Sequence, residues 1–171
     1  MYGYMREAYQ EIETFRVDLW KLNDLLSRMA YEGEWKNFFD FLAEAIHQQT
    51  SIRDYLTAEK VIQGFLLAYL NISDFYISRT EKEMNKGFAD IFLEPFLAKY
   101  PDLPYLYLIE LKYLKRGALS DSLVQQTMEE AQRQLSLYLQ DEILQNQYAS
   151  LKTIGLILIF HGWELVYCEE G

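Results

Sequence analysis

Cysteine and histidine are almost missing from this 171-residue chain, which holds one Cys, at position 168, and two His, at 47 and 161. A single thiol cannot close an intrachain disulfide, nor supply the thiolate set of a structural zinc site. That usage fits a reducing compartment, and a cytoplasmic location is the expectation. No apolar run approaches the ~20 residues that a membrane helix needs. The opening Met1-Tyr-Gly-Tyr-Met-Arg-Glu7 lacks the apolar stretch of a signal peptide, so no membrane partner is expected. Nor is there a glycine-rich phosphate loop of the P-loop or dinucleotide type, which leaves nucleotide chemistry without support. Positive charge is the scarcer sign, with 16 Lys and Arg against 26 Asp and Glu for a formal net charge of -10. The acids are spread along the chain, which argues for solubility and against broad adhesion to nucleic acid. A local basic groove is still allowed.

What is present is a large apolar complement, 50% of residues, enough for one compact domain with a real core. Residues 5–30 read as an amphipathic helix, with Ile12, Phe15, Leu19, Leu22, Leu25, Leu26 and Met29 at helical spacing. Gly33 ends it. Trp35–His47 reads as a second helix with Phe38, Phe39, Leu42 and Ile46 inward. Ser51–Asp54 reads as a turn or a capped helix start, and a third helix spans about Thr57–Asn71 around Val61, Ile62, Phe65, Leu66 and Tyr69. The period then changes. Strands are predicted at Phe75–Thr80, Phe88–Leu93, Tyr105–Tyr113, Thr153–Phe160 and Trp163–Cys168. A polar turn covers Glu81–Gly87, one long helix covers Ser120–Gln147, and His161-Gly162 forms a two-residue hairpin turn. The Tyr105–Tyr113 run is nearly continuous in apolar and aromatic residues, so it belongs in the middle of a sheet.

Two charge clusters interrupt these apolar strands. Asp90 sits in Gly87-Phe-Ala-Asp90-Ile-Phe-Leu, and Glu110 and Lys112 sit in Leu106-Tyr-Leu-Ile-Glu110-Leu-Lys112. Unpaired charge is costly to bury, so such groups are paired, neutralised or metal-bound. Strand alternation puts Glu110 and Lys112 on one face. Two carboxylates on neighbouring strands repel each other, and a divalent cation relieves that. Hard oxygen ligands without Cys or His nearby favour Mg2+ or Mn2+ over zinc. Such an ion activates water and polarises a phosphoryl oxygen. The Leu111 backbone carbonyl is a further candidate ligand, and Lys112 a group to neutralise developing charge or hold the water. The plainer alternative is an ion pair on an exposed strand face.

These residues carry a resemblance. Glu59-Lys-Val-Ile-Gln-Gly64-Phe-Leu-Leu, Gly87-Phe-Ala-Asp90-Ile-Phe-Leu-Glu-Pro95, Tyr107-Leu-Ile-Glu110-Leu-Lys112 and Ala131-Gln-Arg-Gln134-Leu occur in order. Together they resemble the PD-(D/E)xK nuclease superfamily, closest to its branch found C-terminal to an AAA-ATPase-like domain. The likeness covers about residues 51–168. It implies an α/β, restriction-endonuclease-like α-β-β-β-α-β core, here residues 51–171, with residues 1–50 as a helical extension packed on it. It implies divalent-metal-dependent hydrolysis of nucleic acid, most naturally DNA. Asp90 and Glu110 would be the main metal ligands, Lys112 the catalytic lysine, Glu59 an auxiliary acid at the metal, and Gln134 a supporting residue from the following helix. Tyr138, one turn later, would line the same edge. Ala89 replaces the proline of the nominal motif, a harmless change, and Gln63 stands where this branch commonly has a histidine.

The helical opening reads as a domain cut from a longer chain, with an ATPase-like domain upstream. A catalytically weak module of the same fold, serving as a docking or regulatory domain, is the alternative that the acidic charge and Gln63 favour. Lys112, Lys115 and Arg116 after one strand, with Arg79, Lys82 and Lys86 in the first hairpin, would form a cationic lip for phosphates if both segments rim one cleft. A pair of solvated loops is the equal alternative. Cys168 is expected to be buried, and His47 and His161 to lie at the surface or in turns.

Overall fold

Asp18 starts the first described helix. Its carboxylate accepts hydrogen bonds from the Trp20 and Lys21 amides at 3.1 Å each, satisfying donors that a helix leaves unpaired at its N-terminus. In this computed structural model the described residues are 18–48, 59–84, 87–115, 117 and 120–171. The first half of the predicted 5–30 helix, the Ser51–Asp54 turn and the 50/51 domain boundary lie outside them. From the cap, α1 runs Leu19–Glu32. Leu19, expected inward, is 59% exposed, because it is the first helical residue and precedes the buried stripe from Leu22. Gly33 closes α1 at φ 77, a left-handed cap that glycine adopts without steric cost. The helices α2 (Trp35–Gln48) and α3 (Glu59–Leu70) follow.

Five strands form one mixed sheet in sequence order: β1 (Tyr76–Met84), β2 (Gly87–Pro95), β3 (Tyr105–Leu114), β4 (Lys152–His161) and β5 (Glu164–Glu170). The β1–β2, β2–β3 and β4–β5 pairs are antiparallel, and β3–β4 is parallel. The parallel pair is bridged by α4 (Asp121–Leu139) and the short α5 (Glu142–Gln147). A crossover of this kind is what a parallel pair requires. As expected, β3 occupies the centre, with Leu106–Leu111 buried without a break.

Three boundaries differ from the sequence reading. The charged Glu81-Lys82-Glu83 segment is strand, not turn, because backbone pairing with β2 continues to Met84↔Gly87. The long helix breaks at Gln140. There Gln145 Nε2 donates to the Leu139 carbonyl at 2.9 Å, and the new direction buries Leu144 and Tyr148. The last hairpin turns at Gly162-Trp163, one residue late, since His161 still pairs with Glu164 and Gly162 supplies the positive φ of 59.

The two sheet faces hold separate cores. Ile91, Tyr107, Ile109, Leu111, Leu156 and Leu158 pack against α1, α2 and α3. Phe92, Leu106, Leu108, Ile157 and Ile159 pack under α4 with Ala131, Leu135 and Tyr138. Buried Tyr107 spends its hydroxyl on the Met29 carbonyl at 2.7 Å, tying β3 to α1. The result is an α/β layered domain with both faces of the sheet covered.

Candidate active site

The site begins where β2 and β3 part. Among the described residues their paired positions are Ile91↔Ile109, Phe92↔Leu108 and Leu93↔Tyr107, stopping one step short of Asp90 and Glu110. Beyond that point a backbone amide on β3 needs another acceptor. Asp90 supplies it, since its Oδ2 accepts from the Leu111 N–H at 2.8 Å. The acid therefore spans the gap between the strands. A strand residue presents its N–H and C=O at the same edge, so the Leu111 carbonyl also faces this gap.

Glu110 lies beside it, on the face that carries Leu106 and Leu108 under α4, and is only 2% exposed. Its Oε1 accepts from Lys112 Nζ at 2.8 Å, which places the two side chains on one face as alternation requires. Its other oxygen, Oε2, is buried without a hydrogen-bond partner. Burial pushes the Glu110 carboxyl up to about 7, and the charges of Asp90 and Glu59 add to the rise while Lys112 opposes it. Burial pulls the Lys112 ammonium down, yet its hydrogen bond to Glu110 and the charges of Glu110, Asp90 and Glu130 hold it above the usual range. The exposed-ion-pair alternative does not fit a carboxylate this deeply buried.

Two further residues come from α3. Burial raises the Glu59 carboxyl, the charge of Asp90 raises it further, and Lys112 and Lys60 oppose. Glu59 thus shares one electrostatic neighbourhood with the strand acids. One turn on, Gln63 is buried and its Nε2 donates to the Asp90 carbonyl at 2.8 Å. In sequence, Gln63 stands out only as a departure from a histidine. The available signal was its i, i+4 spacing from Glu59 within an otherwise apolar stretch.

Gln134 lies on α4 one turn beyond Glu130, whose charge acts on Lys112, and its Oε1 is buried without a hydrogen-bond partner. Tyr138 is buried, its hydroxyl 3.0 Å from where a Cβ on Gly87 would sit, at the start of the strand that carries Asp90. Of the expected cationic lip, only Arg79, Lys112 and Lys115 have described side chains. Arg79 is held by Glu94 at 3.0 Å, and Glu94 also accepts from the Tyr148 hydroxyl at 2.9 Å. Lys115 is exposed, while Lys86 and Arg116 and the Lys82 side chain fall outside what is described. Cys168 is buried as expected, which pushes its thiol up to about 12.

The donor set can be tested against a divalent ion. Among the described residues no three His, Cys, Asp or Glu side chains converge as a ready-made cage. Mg2+ does not require one: it takes one or two carboxylates and keeps several waters. Two hard-oxygen acids flanking a strand gap, one of them with an unpartnered buried oxygen, fit that mode.

A mixed sheet whose second strand delivers an acid to a Glu-x-Lys triplet on the third defines a restriction-endonuclease-like α/β domain. Residues 57–170 match the family model described as the PD-(D/E)XK nuclease superfamily. The chain belongs to that superfamily. No curated protein matches the sequence. Among the described residues no helix is long and apolar enough to cross a membrane.

Proposed function

We propose that this domain is a divalent-metal-dependent nuclease that hydrolyses phosphodiester bonds of nucleic acid, with DNA as substrate and Mg2+ or Mn2+ as the ion. The observation that carries the reading is the hydrogen bond from the Leu111 amide to Asp90 at 2.8 Å. It fixes an acid across the strand gap beside buried Glu110. Asp90, Glu110 and the Leu111 carbonyl would hold the ion, with Glu59 acting directly or through water. When bound, the ion would supply Lewis-acid polarisation of the phosphoryl oxygen and a more acidic water.

The chain's own groups do the rest. Asp90 is held in place before substrate arrives, so its orientation costs nothing during reaction. Lys112 is kept charged by Glu110 at 2.8 Å, and a short swing of its Nζ brings that charge to a phosphate oxygen or the attacking water. Gln134 offers its unpartnered Oε1 to the Lys112 ammonium or to that water. The burial that raises Glu110 also excludes competing solvent. The local motifs further support a place for this domain C-terminal to an AAA-ATPase-like domain in the full-length protein.

A second reading, a non-catalytic docking module, is favoured by one observation: Lys112 is already engaged by Glu110 Oε1 at 2.8 Å. Supercoiled plasmid and labelled oligonucleotides incubated with Mg2+, Mn2+ or EDTA separate the two. The nuclease reading expects cleavage with metal, none with EDTA, and a loss of at least a hundredfold in Asp90→Ala and Lys112→Ala. Cleavage at the wild-type level by both variants rejects this site.

A further inference from the structure

We infer that Gln63 is a positioning residue that acts through the backbone of Asp90, a role resting on the metal-site reading of Asp90 but measurable without it. Asp90 lies where β2 parts from β3, so among the described residues only the β1 ladder, paired through Thr80↔Ile91 and Lys82↔Ala89, still flanks it. Two hydrogen bonds stand in for the missing β3 pairing. The side chain accepts from the Leu111 amide on β3 at 2.8 Å, and the carbonyl accepts from Gln63 Nε2 on α3 at 2.8 Å. A carbonyl can only accept, which fixes the nitrogen of the Gln63 amide as the donor.

Gln63 is 6% exposed and sits among Ile62, Leu66 and Leu70, the buried face of α3. A polar side chain in that position costs free energy unless it is bonded. Its bond falls on the residue that spans the strand gap. Gln63 therefore clamps the main chain of Asp90 from the helix side while Leu111 clamps its carboxylate from the sheet side. Glu59, four residues earlier on α3, is brought to the same acids by the same docking. A shift of α3 against β2 would move Glu59 and the Asp90 peptide together, and Gln63 opposes it.

Hydrogen exchange in metal-free buffer tests this in wild type and in Gln63→Met, which keeps the volume and loses the donor. The Leu111 amide reports Asp90, and the Leu158 amide in β4 reports global opening. The clamp predicts Leu111 exchange at least tenfold faster in Q63M with Leu158 unchanged, and a Mg2+ midpoint raised at least fivefold by calorimetry. Parallel acceleration of both amides, or no change at Leu111, overturns it. Should Q63M fail to fold, Gln63→Asn, which draws the donor back by one methylene, carries the same comparison. Selective loss at Leu111 in a protein whose wild type binds no Mg2+ leaves the clamp standing and removes the nuclease reading. Mg2+ binding with unaltered Leu111 protection does the reverse.

Discussion

Glu110 concentrates the chemistry and the energetic cost of the site in one side chain. Its carboxyl is raised from 4.5 to about 7 in the fold, so the folded state binds its proton more tightly than the unfolded chain does. Its contribution to stability is therefore fully present below pH 4.5 and is lost as pH rises to about 7. Within that window the slope is up to about 1.4 kcal/mol per pH unit. Urea unfolding of the metal-free protein across this range should show the decline, and Glu110→Gln should flatten it. Lys112→Met removes the hydrogen bond that opposes the rise. An NMR titration of that variant should place Glu110 above its wild-type midpoint. Asp90, Glu110 and Lys112 were legible because charge inside apolar strands is an energetic anomaly that sequence displays. Gln63 was not, since a neutral amide in a helix raises no such alarm until its partner is known.

At the scale of elements, strand and helix identities were readable from period, and their ends were not. The β1 extension through Glu81–Met84 rests on backbone pairing, which side-chain polarity does not report. The break at Gln140 carries neither Gly nor Pro; it depends on burying Leu144 and Tyr148. The end of α1 was readable, because Gly33 marks it. A Cβ on Gly33 would lie 2.8 Å from the Tyr105 ring, at a φ of 77 that L-residues avoid. Gly33→Ala should cost about 1–3 kcal/mol, seen as a lower urea midpoint with an unchanged slope. An unaltered midpoint would mean that the α1–α2 corner relaxes around the added methyl. The strand gap at Asp90 also belongs to this scale. Alternation predicts faces, but not where a ladder stops.

The whole molecule sets the affinity. A net charge of -10 repels a polyanion, so binding to DNA without divalent metal should be weak at physiological salt. It should fall further as salt rises, with a shallow slope for few phosphate contacts. Fluorescence anisotropy in EDTA against Mg2+ checks this, and a tighter complex with metal is expected as the clustered acids are neutralised. The fold was legible at this scale because four short motifs fall in order on a helix, two strands and a helix. The central claim is that the gap between β2 and β3 holds a divalent ion. The most direct measurement is calorimetric titration of Mg2+ and Mn2+ into wild type and Asp90→Ala. The expected result is one site of millimolar or tighter affinity in the wild type, lost in the variant while its thermal unfolding stays cooperative. Equal metal affinity in both proteins, or no binding in either, would contradict it.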